Sequence, residues 1–283
     1  MPVIVLALIS MACAGGNDFV FKLYARRGGS TGAYLAVIGV VWTLFFAFSL
    51  PSPDCLLERA TLQWGIISGV FSIMANILFV KSLARGDVGI CATIYRLNLV
   101  PAALLAFLFF GEPAGAPRLA AIASGAAAVL FFSLPAGEAK TGRFLSGTIL
   151  VVAAASFLRA GMGLGYKAGL LHGANEYGLG AINGLVWITG GTLCHLLAGR
   201  ETRKLDRATL AYGGLSGALV CGIILFLMLA LKQGDASLVL PVTQMSFVLT
   251  ALAGITVMKE PLTARKIMGI SLGVLCIFLM GIK

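Results

Sequence analysis

Read from its amino terminus, the chain is a succession of apolar blocks, each closed by charge, proline or glycine. The blocks run over 2–21, 31–50, 62–84, 88–111, 116–135, 144–167, 177–199, 207–232, 236–258 and 263–282. An α-helix rises about 1.5 Å per residue, so about 20 apolar residues cross a hydrocarbon core of about 30 Å. The pattern predicts an all-α integral membrane protein of ten transmembrane helices. Only short polar stretches separate the blocks: Arg26-Arg27-Gly28-Gly29-Ser30, Pro51-Ser52-Pro53-Asp54, Gly137-Glu138-Ala139-Lys140 and the charged run from Arg200 to Arg207 are examples. None is long enough for a soluble domain. The first block lacks a basic leader and ends in Asn17-Asp18 rather than a small-residue cleavage site, so a retained helix is expected.

Composition agrees with lipid as the solvent. The chain is 59% hydrophobic and 11% charged, with mean hydropathy +0.98, against roughly 25% charged residues in an ordinary globular domain. The net charge of +10 does not point to nucleic acid, because the Lys and Arg residues lie mainly in separate short segments between the blocks rather than in one cluster. Alternate linkers carry 14 and 5 of them, and the positive-inside rule makes the richer side cytoplasmic, which turns both termini outward. The six cysteines form no C-x-x-C pair and have no neighbouring histidine pair, so neither a metal, a cofactor nor a disulfide framework is expected. No H-E-x-x-H, G-x-S-x-G or close acid pair supports an intramembrane enzyme.

An internal repeat appears at an offset of 148 residues. Leu83, Gly86, Asp87, Glu112, Pro113 and Gly125 face Leu231, Gly234, Asp235, Glu260, Pro261 and Gly273 without a gap. Gly-Asp and Glu-Pro dipeptides recurring at one separation carry weight in a chain with 11 acidic residues. The repeat divides the chain into 1–136 and 137–283, five helices each. An odd number of crossings makes the second half enter from the opposite side. That is the inverted-repeat plan of secondary transporters, which sets the substrate in a central cavity near the bilayer midplane. Gly65 and Gly69, Gly161 and Gly165, and Gly213 and Gly217 have the G-x-x-x-G spacing of close helix packing.

Gly86-Asp87, Gly111-Glu112-Pro113, Gly234-Asp235 and Lys259-Glu260-Pro261-Leu262-Thr263 resemble the two repeats of the EamA branch of the drug/metabolite transporter superfamily. The stretch from Gly15-Gly16-Asn17 to Lys22 resembles the end of that family's first helix. The resemblance spans nearly the whole chain. It implies a ten-helix inverted-repeat carrier that exports or exchanges amino acids, nucleotide sugars, phosphorylated metabolites or drugs, usually driven by a gradient. It also implies cytoplasmic termini, against the basic-residue count. The second block departs from the family in having no Arg beyond its first turn.

Two basic residues fall well inside apolar blocks, Arg96 in the fourth and Arg159 in the sixth. Each lies about eight residues, roughly 12 Å, from its nearer block end. Arg stays protonated, and a cation at the bilayer centre costs at least about 2.5–3.5 kcal/mol, so each must face a partner or water. The two guanidinium groups can present planar donor forks to a carboxylate or phosphate. Alternatively they are held by Asp18 or by interhelical carbonyls. The face of Arg159 carries Ser156, Gly163 and Tyr166 but no acid. Asp18 can pair with Lys22 four residues on, neutralise Arg96, or bind a proton during transport.

Other polar residues share helix faces: Ser68, Ser72 and Asn76; Tyr95 and Asn98; Asn183 and Trp187; Thr243, Gln244 and Ser246. Gln244 is the repeat mate of Arg96, and Ser246 that of Asn98. A central cavity would collect such groups, which otherwise serve as interhelical glue. The expected substrate site is therefore Arg96, Arg159, Asn98, Tyr95, Gln244, Tyr166, Asn76, Asn183 and Trp187, with Asp18 and Lys22 as coupling candidates. Pro101 and Pro241 can loosen their helices. Glu112 and Glu260 fit a structural or hinge role, and His172 and His195 interfacial ones. The expected function is alternating-access transport of a small polar metabolite with an anionic group, an amino acid, organic acid or phosphorylated compound, across a bacterial-type inner membrane. Its partners are that substrate, membrane lipid and a coupling proton or counter-substrate. The alternative is an exporter of drugs or lipid-like amphiphiles in which the arginines are structural.

Overall fold

The computed structural model describes residues 1–27, 29–83, 91, 94–133, 146–197, 206–256 and 262–282. Every regular element among them is helical. In chain order these are α1 (Val3–Arg27), α2 (Thr31–Phe48), a short 3-10 turn (Pro53–Leu56), α3 (Arg59–Leu83), α4 (Leu99–Phe110), α5 (Ala116–Ser133), α6 (Ser146–Leu171), α7 (Glu176–Leu197), α8 (Arg207–Gln233), α9 (Ala236–Gln244), α10 (Ser246–Thr256) and α11 (Ala264–Gly281). Seven of the described helices, α1–α3, α6–α8 and α11, are long and apolar enough to cross a membrane.

Several boundaries differ from the sequence expectation. α1 continues to Arg27, so Arg26 and Arg27 belong to a helix rather than a linker; Arg is a good helix former. α6 continues to Leu171 and closes at Gly173, whose φ of 81° is the left-handed conformation that glycine tolerates. The helix expected over 88–111 is interrupted at residues 97–98, and the one expected over 236–258 at Met245. The expected linkers at 137–140 and 200–205 lie outside the described residues.

The chain forms two compact units, residues 1–73 with 165–233 and residues 74–164 with 234–283. Each unit draws on both halves of the sequence.

In the first unit α2 crosses α7 antiparallel through glycines seven residues apart on both helices. A Cβ on Gly39 would sit 2.7 Å from the Ile188 backbone nitrogen, and one on Gly191 2.6 Å from that of Ala36. Gly32 and Gly184 are likewise filled by the facing backbone. The G-x-x-x-G spacing sought in the sequence does not describe this crossing. Gly213 and Gly217 of α8 receive Val37 and Val41, while Gly65 and Gly69 of α3 receive Ile182 and Val186. Ser10 of α1 donates to the Ile223 carbonyl at 2.8 Å. Toward one end of the unit Tyr24 stacks on Tyr34 at 4.3 Å between centroids, the Tyr24 hydroxyl meets Ser30 and Thr209, and Tyr34 bonds Ser216. Asp206 caps α8 there by accepting from the Thr209 hydroxyl and amide, and these bonds hold its carboxyl below the usual range.

In the second unit α5 packs along α11, with the Ser124 hydroxyl donating to the Leu272 carbonyl at 2.8 Å. Gly125 admits Cys276 and Met245, Gly163 of α6 admits Leu240 of α9, and Gly273 admits Val248. Large apolar side chains such as Leu108, Phe109, Leu150 and Phe278 are left exposed, as a lipid-facing surface requires.

The glycine crossing generates the first prediction. Gly191→Ala and Gly39→Ala force a methyl group into backbone, an overpacking worth about 1–3 kcal/mol, and are expected to lower the thermal unfolding midpoint in detergent. Gly214→Ala, where a Cβ meets open space, should leave the midpoint unchanged or raise it, because alanine is the better helix former.

Candidate functional site

In the second unit the two helix interruptions occur beside candidate residues. The amide of Asn98 donates to the Tyr95 carbonyl and that of Val100 to Leu97, a three-residue spacing in place of four. Pro101 is one cause: having no N–H, it cannot donate to the carbonyl four residues back, that of Leu97. At the second interruption Met245 donates to Val242 and Val248 to Met245 with the same spacing. The Asn98 side chain covers the first break, its Nδ2 donating to the Tyr95 carbonyl at 2.8 Å and reaching Gln244 Oε1 at 3.5 Å. A carbonyl can only accept, so the amide orientation is fixed. Asn98 Oδ1 is then buried without a hydrogen-bond partner among the described residues.

Aromatic rings flank this pair. Arg96 lies over the Phe247 ring at 5.7 Å, within cation–π range, and Tyr95 stacks on Phe79 at 4.2 Å. Tyr95, Arg96, Asn98 and Gln244 thus gather around the interruptions. Asn76 of α3 is half-buried in the same unit. Arg159 stands in the middle of α6, about 18 Å from either end. Its Nη1 points to the Met162 sulfur at 3.5 Å, and it makes no ion pair among the described residues.

The first unit holds the remaining candidates, and around Asn183 and Trp187 the polar groups satisfy one another. Asn183 donates to the Gly65 carbonyl and Ser68 hydroxyl, each at 2.9 Å, and to the Leu179 carbonyl at 3.2 Å. Its Oδ1 accepts from the Tyr166 hydroxyl at 2.8 Å. Trp187 Nε1 donates to Ser72 at 3.0 Å. Tyr166 and Asn183 are wholly buried, so the geometry is that of glue between α3, α6 and α7. Asp18 is half-buried in α1, and the Lys22 side chain lies outside the described residues.

Phe79 and Phe247, the partners of Tyr95 and Arg96, do not stand out in the sequence, nor do two further buried polar atoms without a partner among the described residues, Asn17 Oδ1 and Trp42 Nε1. The available signal for Trp42 is its indole donor inside an apolar block, which ordinarily finds an acceptor when buried.

Comparison with known proteins divides the chain along the sequence rather than by compact unit. The model of a family described as the EamA-like transporter family matches residues 1–134 and again 145–282. The chain belongs to the EamA-like transporter family. It is therefore an integral membrane transporter of the drug/metabolite superfamily built from two repeats, and such proteins move small molecules rather than transform them. A crystal structure titled only as that of a protein covers 99% of this EamA-like chain, over 96% of its own length, with a TM-score of 0.82 at 14% identity. That likeness establishes the shared fold alone. No curated protein matches the chain.

The buried amide network generates the second prediction. Asn183→Ala deletes the bond accepted from Tyr166 and those of an NH2 group whose two hydrogens serve three acceptors, at about 0.5–1.5 kcal/mol net for each full bond. A double-mutant cycle with Tyr166→Phe, read by thermal unfolding, should show a coupling of about 0.5–3 kcal/mol, since the two groups share a bond.

Proposed function

We propose that the chain is a secondary transporter that carries a small polar metabolite with an anionic group by alternating access, with Arg159, Arg96, Asn98, Tyr95, Gln244 and Asn76 forming the substrate site. The observation that carries this reading is Arg159: a permanent cation at mid-helix with a thioether, and no carboxylate among the described residues, as its contact. A guanidinium so situated needs a counter-charge or water, and a transported carboxylate or phosphate supplies the former.

Two further features support the arrangement. Gly163 touches Leu240, and Arg159 and Gln244 each lie one turn away on the same helix faces. In a ten-helix topology the sixth and ninth helices run antiparallel, so both steps lead in the same direction and bring Arg159 level with Gln244. The inverted repeat is itself supported by the contacts. Ser124 bonds the residue 148 positions on, its own repeat mate, as happens on a two-fold axis. The repeats are then 1–136 and 137–283. Tyr166, Asn183 and Trp187 lock helices of the first unit together. Asp18 with Lys22 is the candidate coupling pair, for a proton or a counter-substrate. A bacterial-type inner membrane is the proposed location.

The Phe79–Tyr95 and Arg96–Phe247 contacts favour a second reading, an exporter of aromatic or amphiphilic compounds. Thermal shift separates the two: organic anions such as L-malate or glycerol 3-phosphate stabilise an anion carrier, whereas hydrophobic cations stabilise an amphiphile exporter.

The third prediction is direct. In proteoliposomes tested with radiolabelled L-malate, L-aspartate and glycerol 3-phosphate, at least one anion is expected to show flux above empty vesicles. Arg159→Ala should reduce that flux by about a hundredfold or more, and Arg159→Lys by about tenfold, because lysine keeps the charge without the planar fork. Undiminished flux in both variants would remove Arg159 from the site.

A further inference from the structure

The Gly-Glu-Pro turn after α4 and the Gly-Asp start of α9 come from opposite halves of the sequence and meet in the second unit. Gly111, at φ 61°, ends α4 in the left-handed conformation. The turn sends the Glu112 carboxylate to the first turn of α9, where it accepts from the backbone amides of Ala236 and Ser237, both at 2.7 Å. The natural N-cap of α9, Asp235, makes no capping bond of its own. Its carboxylate is held instead by Arg118 at 2.9 Å. Arg118 also donates to the Pro113 carbonyl at 3.1 Å and to the Ser237 hydroxyl at 3.0 Å. The cap of α9 is thus supplied in trans, and one arginine fastens the supplier to the helix that it caps.

α4 and α9 run antiparallel from this clasp to the interruptions. α9 has nine residues, about 13 Å, between the amides held by Glu112 and the Gln244 side chain that meets Asn98. So short a helix, anchored at its first turn, transmits the rotation and height of its start to its last residue.

We infer that Glu112 and Arg118 are positioning residues for the Asn98–Gln244 pair: by fixing the start of α9 they set the register of Gln244 and the Met245 interruption against Asn98. This rests on the reading of that pair as part of the substrate site. It makes the acidic and basic positions at these helix ends alignment devices for the site, without contact to substrate.

The test is amide hydrogen exchange on the full chain in lipid nanodiscs, followed in peptides covering residues 234–238 and 244–248. Glu112→Gln replaces one accepting oxygen by an NH2 group facing an N–H. Losing an N-cap is worth about 0.5–2 kcal/mol, so exchange in the first peptide should accelerate about tenfold. The positioning role requires a comparable acceleration in the second peptide, which a purely local cap would not produce, and restored protection there in Glu112→Asp. Acceleration confined to residues 234–238, or none in either peptide, overturns the inference. If Glu112→Gln does not accumulate, Arg118→Gln, which leaves both carboxylate–amide bonds in place, is followed at residues 244–248: faster exchange there upholds the inference and unchanged exchange overturns it. Exchange needs no substrate, so this result is independent of the flux assay on Arg159, which tests the anion reading.

Discussion

A peptide N–H or C=O left bare in hydrocarbon costs several kcal/mol, and this constraint governs the molecule. It makes every described element helical and gives any interruption of a helix a cost that something nearby must offset. The interruptions at residues 97–98 and at Met245 are therefore informative. At the first, the backbone bonds shorten to three-residue spacing and the Asn98 side chain donates to the Tyr95 carbonyl. A side-chain amide thus supplies a bond of the kind that a regular helix would draw from its own backbone. The offset is incomplete, since Asn98 Oδ1 remains buried without a partner among the described residues. Irregular backbone at membrane depth is tolerated where it is enclosed by protein or lines a cavity, and here it coincides with aromatic stacking and a cation.

The two units meet the same need for cohesion by different means. Lipid tails are as apolar as leucine, so burial alone does not hold membrane helices together; close van der Waals contact and interhelical hydrogen bonds do. The first unit relies on backbone approach, with α2 and α7 in contact through paired glycines, and adds the saturated amide of Asn183. The second unit relies more on side chains that reach backbone across helices: Ser124 to Leu272 and Glu112 to the start of α9. Saturated networks specify a single arrangement. Each unit also retains a polar group without a partner among the described residues, Asn17 Oδ1 and Trp42 Nε1 in the first and Asn98 Oδ1 in the second.

The apolar blocks carried the helical class without aid, because span length is a one-dimensional property, and the family was legible in the resemblance of the Gly-Asp and Glu-Pro motifs. The two interruptions were only half legible. Pro101 and Pro241 announced loosened helices, yet where the chain breaks depends on which carbonyls find substitute donors, and that is decided by neighbours in space. The α2–α7 crossing escaped notice because seven-residue glycine spacing has meaning only once the facing helix is known. Polar residues on a helix face could not be sorted in advance into glue and cavity lining. Asn183 and Asn98 look alike in sequence, and they differ because Asn183 finds Gly65, Ser68 and Tyr166 around it.

Three arginines of the second unit show how environment divides one chemistry into separate tasks. Arg118, near the start of α5, meets Asp235 and two further acceptors, so its charge is matched. Arg96 rests on an aromatic face, which stabilises a cation without neutralising it. Arg159 has neither an acid nor a ring among the described residues, only a weakly accepting sulfur. A charge that leans on sulfur at the centre of a long apolar helix has the most to gain from an incoming anion, and that gain is largest where water is scarce. On the proposed anion reading, affinity for a negative group follows from the same low dielectric that makes a lone cation costly.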